Sequence, residues 1–321
     1  MKHDIGRNLE CPWKTLVVLL CIFLVSVPHT LCSAAAGEGE ASGRKPPLVV
    51  GFSSKLFFDV DINDARAATK VWTGMLVRKV GSFDSSETTI FPDLSSVEKS
   101  LKEKGVDIVV LFSHELIEIR NKVHLEPVYA ADYGSNFYHD ELLLVRADSG
   151  LSNLGDLKGK RLVIELGQKG TLPMLWLETL LLKEGVQSIQ TYFSTIREAA
   201  RATQAILPVF FGQADACVVG RFNFETMVEL NPQVGKMLKV IARSPGFLTG
   251  VVCMRKDFYD KYKDNLDTAL KAFSTEPQGK QIMTLFRIKK LVPYKPEYLE
   301  TAEALLREHR DLTTRVAQRR R

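Results

Sequence analysis

The chain has 321 residues, 45% hydrophobic and 25% charged, a composition that fits a globular protein of one large or two moderate domains and excludes a disordered, collagen-like or disulfide-scaffold chain. Its net charge of +5 is confined to the ends: residues 1–36 contribute +1, and Arg315, Arg319, Arg320 and Arg321 contribute +4, so the body is neutral and offers no basic face to nucleic acid. The arginine tail reads as a solvated helix end.

Taken in order, the chain opens with Lys2, Arg7 and Lys14 ahead of an apolar run from Leu16 to Val25 and the small residues Ala34-Ala35-Ala36. That pattern is a secretory signal, expected to be cleaved after Ala36 and to place residues 37–321 in the periplasm. The run falls short of the roughly 20 residues that span a bilayer. Lipid anchoring at Cys32 is disfavoured, because His29-Thr30-Leu31 before it lacks the expected small residue. Of the five cysteines, Cys217 and Cys253 remain beyond the signal, each in an apolar run. They are expected as buried free thiols, neither a disulfide framework nor a zinc site.

Residues 37–47 form a flexible lead. Leu48–Phe52 is the first strand, and a helix follows with Ala65, Ala68, Trp72, Met75, Leu76 and Val80 at helical spacing. Thr88–Phe91 is a second strand. Ser95-x-x-Glu98 is a capping box for a helix ending at Gly105, and Asp107–Phe112 is a strand apolar on both faces. Ser113 caps a short helix. Two strand-like segments then precede Ser149-Gly150, where the β-α pattern restarts. The second unit contains a strand in the apolar run that opens at Arg161 and ends in a Gly-x-x-Gly loop, and further strands near Gln190–Phe193, at Asp215–Gly220 and at Met237–Ile241. Thr195-x-x-Glu198 is a capping box for an Ala-rich helix. Alternating strands and helices predict sheets that are mostly parallel.

The stretch Arg161-Leu162-Val163-Ile164-Glu165-Leu166-Gly167-Gln168-Lys169-Gly170-Thr171 joins a strand to a helix N-terminus through a Gly-x-x-Gly loop. Such a loop is either an anion seat or only a tight turn. Other chemistry is missing. Asp59–Asp64 starts like a calcium loop, but Asp64 stands where glycine is needed and Lys70 where glutamate is needed. His114-Glu115-Leu116-Ile117-Glu118 lacks the second histidine of a zinc protease helix, and no hydrolase, P-loop or dinucleotide motif is found. Neither an enzyme nor a cofactor or metal is expected.

The order of segments resembles the solute-binding proteins of ABC transporters, of the phosphate, phosphite and phosphonate type. The residues that carry the resemblance are Asn153-Leu154-Gly155-Asp156-Leu157-Lys158-Gly159-Lys160-Arg161-Leu162-Val163, the helix-to-strand segment Val97–Ile108, Phe211-Gly212-Gln213-Ala214-Asp215-Ala216, and Ser244-Pro245 before Gly250–Met254. The resemblance covers roughly residues 48–300. It implies an α/β, two-lobe fold of type II, each lobe a mostly parallel sheet flanked by helices, with two hinge crossings. The implied divisions are 48–142 for the first lobe, 143–149 for a crossing and 150–240 for the second lobe. Residues 241–321 would form the second crossing and return to the first lobe with C-terminal helices.

The resemblance implies that ligand lies between the lobes, at the carboxyl ends of strands. Carried over by position, the candidates are Ser53, Ser54, Ser113, His114 and Tyr138 in the first lobe, and Gln168, Lys169, Gly170, Thr171 and Arg221 in the second. Each has a plainer role: Ser113 as a helix cap, His114 as a satisfied histidine, Tyr138 as hinge packing. Arg221 at a helix start opposes the dipole and points to an anionic partner. The second-lobe loop departs from the family's Ser/Thr-rich pattern, and no set of acidic residues is evident to hold the amine of an aminophosphonate. The implied function is capture of a small oxyanion, as a monomer, for an ABC permease. The alternatives are presentation of the ligand to a membrane sensor and binding of another small solute such as a sulfonate.

Overall fold

The computed structural model describes residues 45–57, 61–133, 138–166, 171–285 and 288–319. The anion-seat candidates Gln168, Lys169 and Gly170 lie outside them.

The first strand, β1 (Leu48–Ser53), leads through a short 3-10 turn toward helix α1 (Ile62–Val80). Asp61 caps α1 by accepting the Asn63 N–H at 2.8 Å, and Gly81, at φ 70°, ends it by donating to the Val77 carbonyl. Ala65, Thr69, Trp72, Leu76 and Val80 form its buried stripe. Strand β2 (Ser86–Phe91) follows, then α2 (Leu94–Lys102), β3 (Ile108–Phe112), α3 (Ser113–Ile119) and β4 (Leu125–Asp132). Helix α2 starts on Asp93, whose carboxylate accepts from Ser96 N–H at 2.8 Å and from the Ser95 hydroxyl at 2.7 Å. The expected Ser95–Glu98 box does not form, because the helix starts on Asp93 and Ser95 lies within its first turn, while Glu98 accepts from Lys102.

After β5 (Tyr138–His139) and β6 (Glu141–Arg146) come β7 (Arg161–Glu165), α4 (Leu172–Lys183) and the one-turn α5 (Ile189–Tyr192). Next are β8 (Thr195–Ala199), α6 (Ala202–Phe210), β9 (Ala216–Gly220), α7 (Arg221–Leu230), α8 (Pro232–Met237) and β10 (Leu238–Arg243). Two sequence expectations are corrected here. Residues 189–192 are helical, and Thr195 to Glu198 is strand, not a helix cap. Ladder pairing from Arg161–Thr195 to Glu165–Ala199 claims that backbone before a helix can start. A capping box is a local preference, and a continuous parallel ladder beside β7 outweighs it. The chain ends with β11 (Phe247–Leu248), β12 (Gly250–Arg255), α9 (Lys256–Thr275), α10 (Pro277–Leu285), β13 (Lys290–Pro293) and α11 (Glu300–Arg319).

The strands form a six-stranded sheet, β13-β4-β12-β3-β1-β2, and a five-stranded sheet, β10-β6-β9-β7-β8. Both are mixed rather than mostly parallel. β1 pairs β2 and β3 in parallel while β12 runs antiparallel to β3 and β4. In the second sheet β7 pairs β8 and β9 in parallel while β6 is antiparallel to β9 and β10. The reversed strands are β6, which follows the first inter-sheet link, β12, which follows the second, and β13, which pairs antiparallel with β4.

Each sheet is covered on both faces, which explains the unbroken apolar runs. Along β6, Leu143 and Val145 join one core cluster and Leu142 and Leu144 the other; in β9, Val218 and Cys217 divide the same way. Cys217 and Cys253 are buried free thiols in different sheets, and burial pushes both pKa values up. Trp72 and Trp176 are core residues.

The sheets are linked by residues 133–140 and 244–249, between which β5 and β11 pair antiparallel. A side chain at Gly246 would place Cβ 2.5 Å from Tyr138 Cβ, so glycine is needed where the links touch. Residues 141–146 belong to the five-stranded sheet.

Helix α11 is shared. Leu299, just before it, packs in a first-sheet core, whereas Ala302 and Leu305 pack with Leu172, Trp176 and Leu177 of the second. Arg120 of α3 pairs with Glu303, Lys183 of α4 meets Glu308 at 2.7 Å, and His309 meets Glu178 at 3.3 Å. Leu305→Ala is expected to cost about 2–3 kcal/mol by opening this contact; an unchanged urea midpoint would refute that.

Candidate functional site

Three parallel strands of the second sheet end near the start of a helix: β7 before α4, β8 before α6 and β9 before α7. Crevices at the carboxyl ends of such strands are where open α/β sheets bind ligands. A cavity of about 400 Å³ lies there. Its lining includes Glu165 at the end of β7, Arg201 to Thr203 at the start of α6, and Gly220 to Asn223 at the β9–α7 junction. Tyr133, Tyr138, His139, Asp140 and Thr249 of the inter-sheet links complete it. The first N–H groups of a helix have no partner within it and carry the positive end of the dipole. Two helices, α6 and α7, begin at this cavity.

The charges are arranged against that background. Arg221 donates from Nε to both oxygens of Asp140 at 3.0 Å, and from Nη1 to Glu225 at 2.9 and 3.0 Å. Asp140 also accepts from Arg243 Nε at 2.5 Å. The anionic partners of Arg221 are therefore carboxylates of the chain itself, and Asp140, then Glu225, raise its pKa. Glu165 is buried and accepts Gly220 N–H at 3.1 Å and Asn223 Nδ2 at 2.7 Å, tying β7 to the start of α7. Asp140 and Glu165, two carboxylates that the sequence did not single out, both line the cavity.

Among the candidates, Tyr138 and Arg221 meet in this cavity. Burial raises the Tyr138 pKa, so its hydroxyl stays protonated and able to donate. Thr171 is exposed just before α4, where its carbonyl accepts the Leu175 N–H. Four others gather at the ends of β1 and β3. The Ser53 hydroxyl donates to Glu115 at 2.9 Å, and Ser54 donates to the Pro92 carbonyl at 3.2 Å. Ser113 is fully buried, with its hydroxyl on the Leu248 carbonyl and its N–H on that of Thr249. It is the first residue of α3 and not its cap. Glu115 instead reaches back to accept the Phe112 N–H at 3.0 Å, while Lys55 stands 3.7 Å from that carboxylate. His114 stacks on Phe112 with ring centroids 5.6 Å apart, and neither ring nitrogen has a hydrogen-bond partner among the described residues. Burial, with a smaller effect of Lys55, lowers its pKa to about 4. These four residues do not line the cavity that holds Arg221.

Sequence reasoning missed Asp140, Glu165, Asn223 and Thr249. Glu165 was legible as the last residue of the strand before the glycine loop. Asp140 and Asn223 depend on neighbours 81 and 58 residues away in sequence, Arg221 and Glu165, which no local pattern connects.

The phosphonate-binding family, described as the periplasmic substrate-binding protein of a phosphonate ABC transporter, matches residues 81–299. Among solved structures, a Xanthomonas citri protein bound to chloride ion is 15% identical with a TM-score of 0.62, covering 84% of this chain and 99% of that one. A Prochlorococcus marinus protein in complex with methylphosphonate is 15% identical with a TM-score of 0.58, over 81% and 97%. A binding component of a phosphonate ABC transporter from Pseudomonas aeruginosa is 17% identical with a TM-score of 0.55, over 86% and 100%. At these identities the likeness is one of fold, the type II two-lobe arrangement. An arginine-binding extracellular protein of Bacillus subtilis is 28% identical over 156 residues, which are 48% of this chain, and the chain spans about half (56%) of that relative's length. No helix among the described residues is long and apolar enough to cross a membrane. The family match covers well over half of the chain, and the chain belongs to the periplasmic substrate-binding proteins of phosphonate ABC transporters, which bind their ligand and do not transform it.

Proposed function

We propose that this protein captures a small oxyanion of the phosphate, phosphite or phosphonate class between its two lobes and delivers it to an ABC permease. The observation that carries this reading is the convergence of the α6 and α7 N-termini on one cavity, in a chain of the phosphonate-binding family. Helix N–H groups and the hydroxyls of Tyr138, Thr203 and Thr249 supply neutral donors there. Lys169, from the glycine loop, is the proposed cation, with Gln168, Gly170 and Thr171 beside it. Ser53, Ser54, Ser113 and His114 are proposed for the facing wall. Ser113 must exchange its present hydrogen bond to take part.

Closure is a hinge motion between two states, favoured by ligand contacts made from both sides. We place the hinge at 133–140 and 244–249, in place of 143–149 for the first crossing, because residues 141–146 are committed to the second sheet. The N-terminal signal is proposed to direct the chain to the periplasm, with cleavage after Ala36.

Calorimetry with phosphate, phosphite, methylphosphonate, an aminoalkylphosphonate, sulfate and taurine tests the ligand class. A phosphorus oxyanion is expected to bind and sulfate and taurine are not. Lys169→Ala is expected to weaken binding about tenfold or more, as loss of a charge-assisted hydrogen bond does. Silence toward every phosphorus oxyanion would reject the reading.

A further inference from the structure

The cavity beside Arg221 has a wall that oxyanion chemistry leaves unused. Phe222, Thr226 and Leu230 recur every fourth residue along α7, and with Met227 they line the cavity. Spacing of four residues aligns them in a row about 12 Å long. Large apolar side chains on a helix ordinarily face a core, as Phe224, Met227 and Val228 of α7 do in part. Here Phe222 is 50% and Leu230 82% exposed, and no residue of α7 is buried. Tyr133 and Tyr138 also line the cavity, adding aromatic surface from the inter-sheet links.

Size points the same way. A tetrahedral oxyanion has five heavy atoms; at about 30 Å³ each, the share of a water molecule, they fill less than half of such a cavity. The volume of about 400 Å³ instead falls in the range of sites that bury larger organic ligands.

We infer that the site takes a phosphonate carrying an extended hydrocarbon arm. Its charged head sits at the starts of α6 and α7, and its arm runs along Phe222, Met227 and Leu230 toward the end of α7. Phe222 is then a specificity-determining residue. This inference rests on the oxyanion reading above. It adds that the substituent contributes to affinity.

The test is calorimetry of the full chain with phosphate and with methyl-, butyl- and hexylphosphonate, on the wild type and Phe222→Ser. Phe222 is half exposed, so the substitution leaves no core cavity. Affinity is expected to rise with chain length, by about tenfold from methyl to butyl, because partly buried methylenes each add a fraction of full apolar transfer. Phe222→Ser is expected to bring butyl- and methylphosphonate within about twofold of each other. A flat series in the wild type, or a chain-length preference that survives Phe222→Ser, overturns the inference while methylphosphonate binding keeps the oxyanion reading. Equal weakening of every ligand by Phe222→Ser also overturns it, because the ring then serves lobe closure. Absence of binding by all four compounds removes both.

Discussion

His114→Phe is expected to be neutral or stabilising at pH 7 and to exceed the wild type by about 2–3 kcal/mol at pH 4.5. The imidazole is buried against Phe112 with no partner for either nitrogen among the described residues, and its pKa falls from 6.5 to about 4. Above pH 6.5 it is neutral in both folded and unfolded chains and contributes no pH dependence. Between pH 6.5 and about 4 the unfolded chain takes up a proton that the folded chain refuses, so stability is lost as pH falls. Below about 4 both forms are protonated and this loss is complete. The full shift corresponds to ~3 kcal/mol. A phenylalanine keeps the ring stack, removes two unsatisfied polar atoms and does not titrate. Urea unfolding at pH 7, 5.5 and 4.5 measures the difference; parallel pH profiles for the two proteins would refute the assignment. Asp257, held near a pKa of about 2 by Lys104 and Arg255, titrates well below this window. The same variant, titrated with methylphosphonate at pH 7, separates a ligand contact at His114 from a purely structural role.

The second large effect is expected from Asp140→Asn. Asp140 is buried and holds the guanidinium groups of Arg221 and Arg243. Removing its charge costs about 1–3 kcal/mol in folding, less than a fully buried pair would, because the Arg221 and Arg243 side chains are 29% and 59% exposed. Anion binding moves in the opposite direction. The cavity gains one net positive charge, and Arg221 keeps only Glu225 as a carboxylate partner. At an effective dielectric near 20 and a few ångströms, a unit charge is worth one to a few kcal/mol, so affinity for methylphosphonate rises about five- to thirtyfold at low salt. The gain shrinks as salt is added. A less stable protein with unchanged or weaker anion binding would show that Asp140 shapes the cavity and does not set its charge.

How far the sequence reached differs from residue to residue. Helix α1 was legible because its signal is local: apolar residues at helical spacing from Ala65 to Val80, which the fold buries as a stripe. The apolar strands around Val109, Leu144 and Val218 were legible because both faces of each sheet are covered. Local signals failed where two kinds of structure competed for one segment. Thr195 and Glu198 have the spacing of a cap, but they lie beside β7 and its ladder takes them. Ser113 has the chemistry of a cap, but Leu248, 135 residues away, takes its hydroxyl.

The same division runs through the site. Arg221 could be singled out from sequence, because a cation at a helix start demands an anion. That the anions are Asp140 and Glu225 required the fold, which brings a link residue 81 positions away against α7. By itself the sequence determined two α/β units and their order, because those follow from periodicity and turn chemistry along the chain. Only the tertiary structure decided the mixed sheets, the sharing of α11 between the two cores and the neutralisation of Arg221. Each of those depends on contacts between segments far apart in sequence, whose geometry no local propensity encodes.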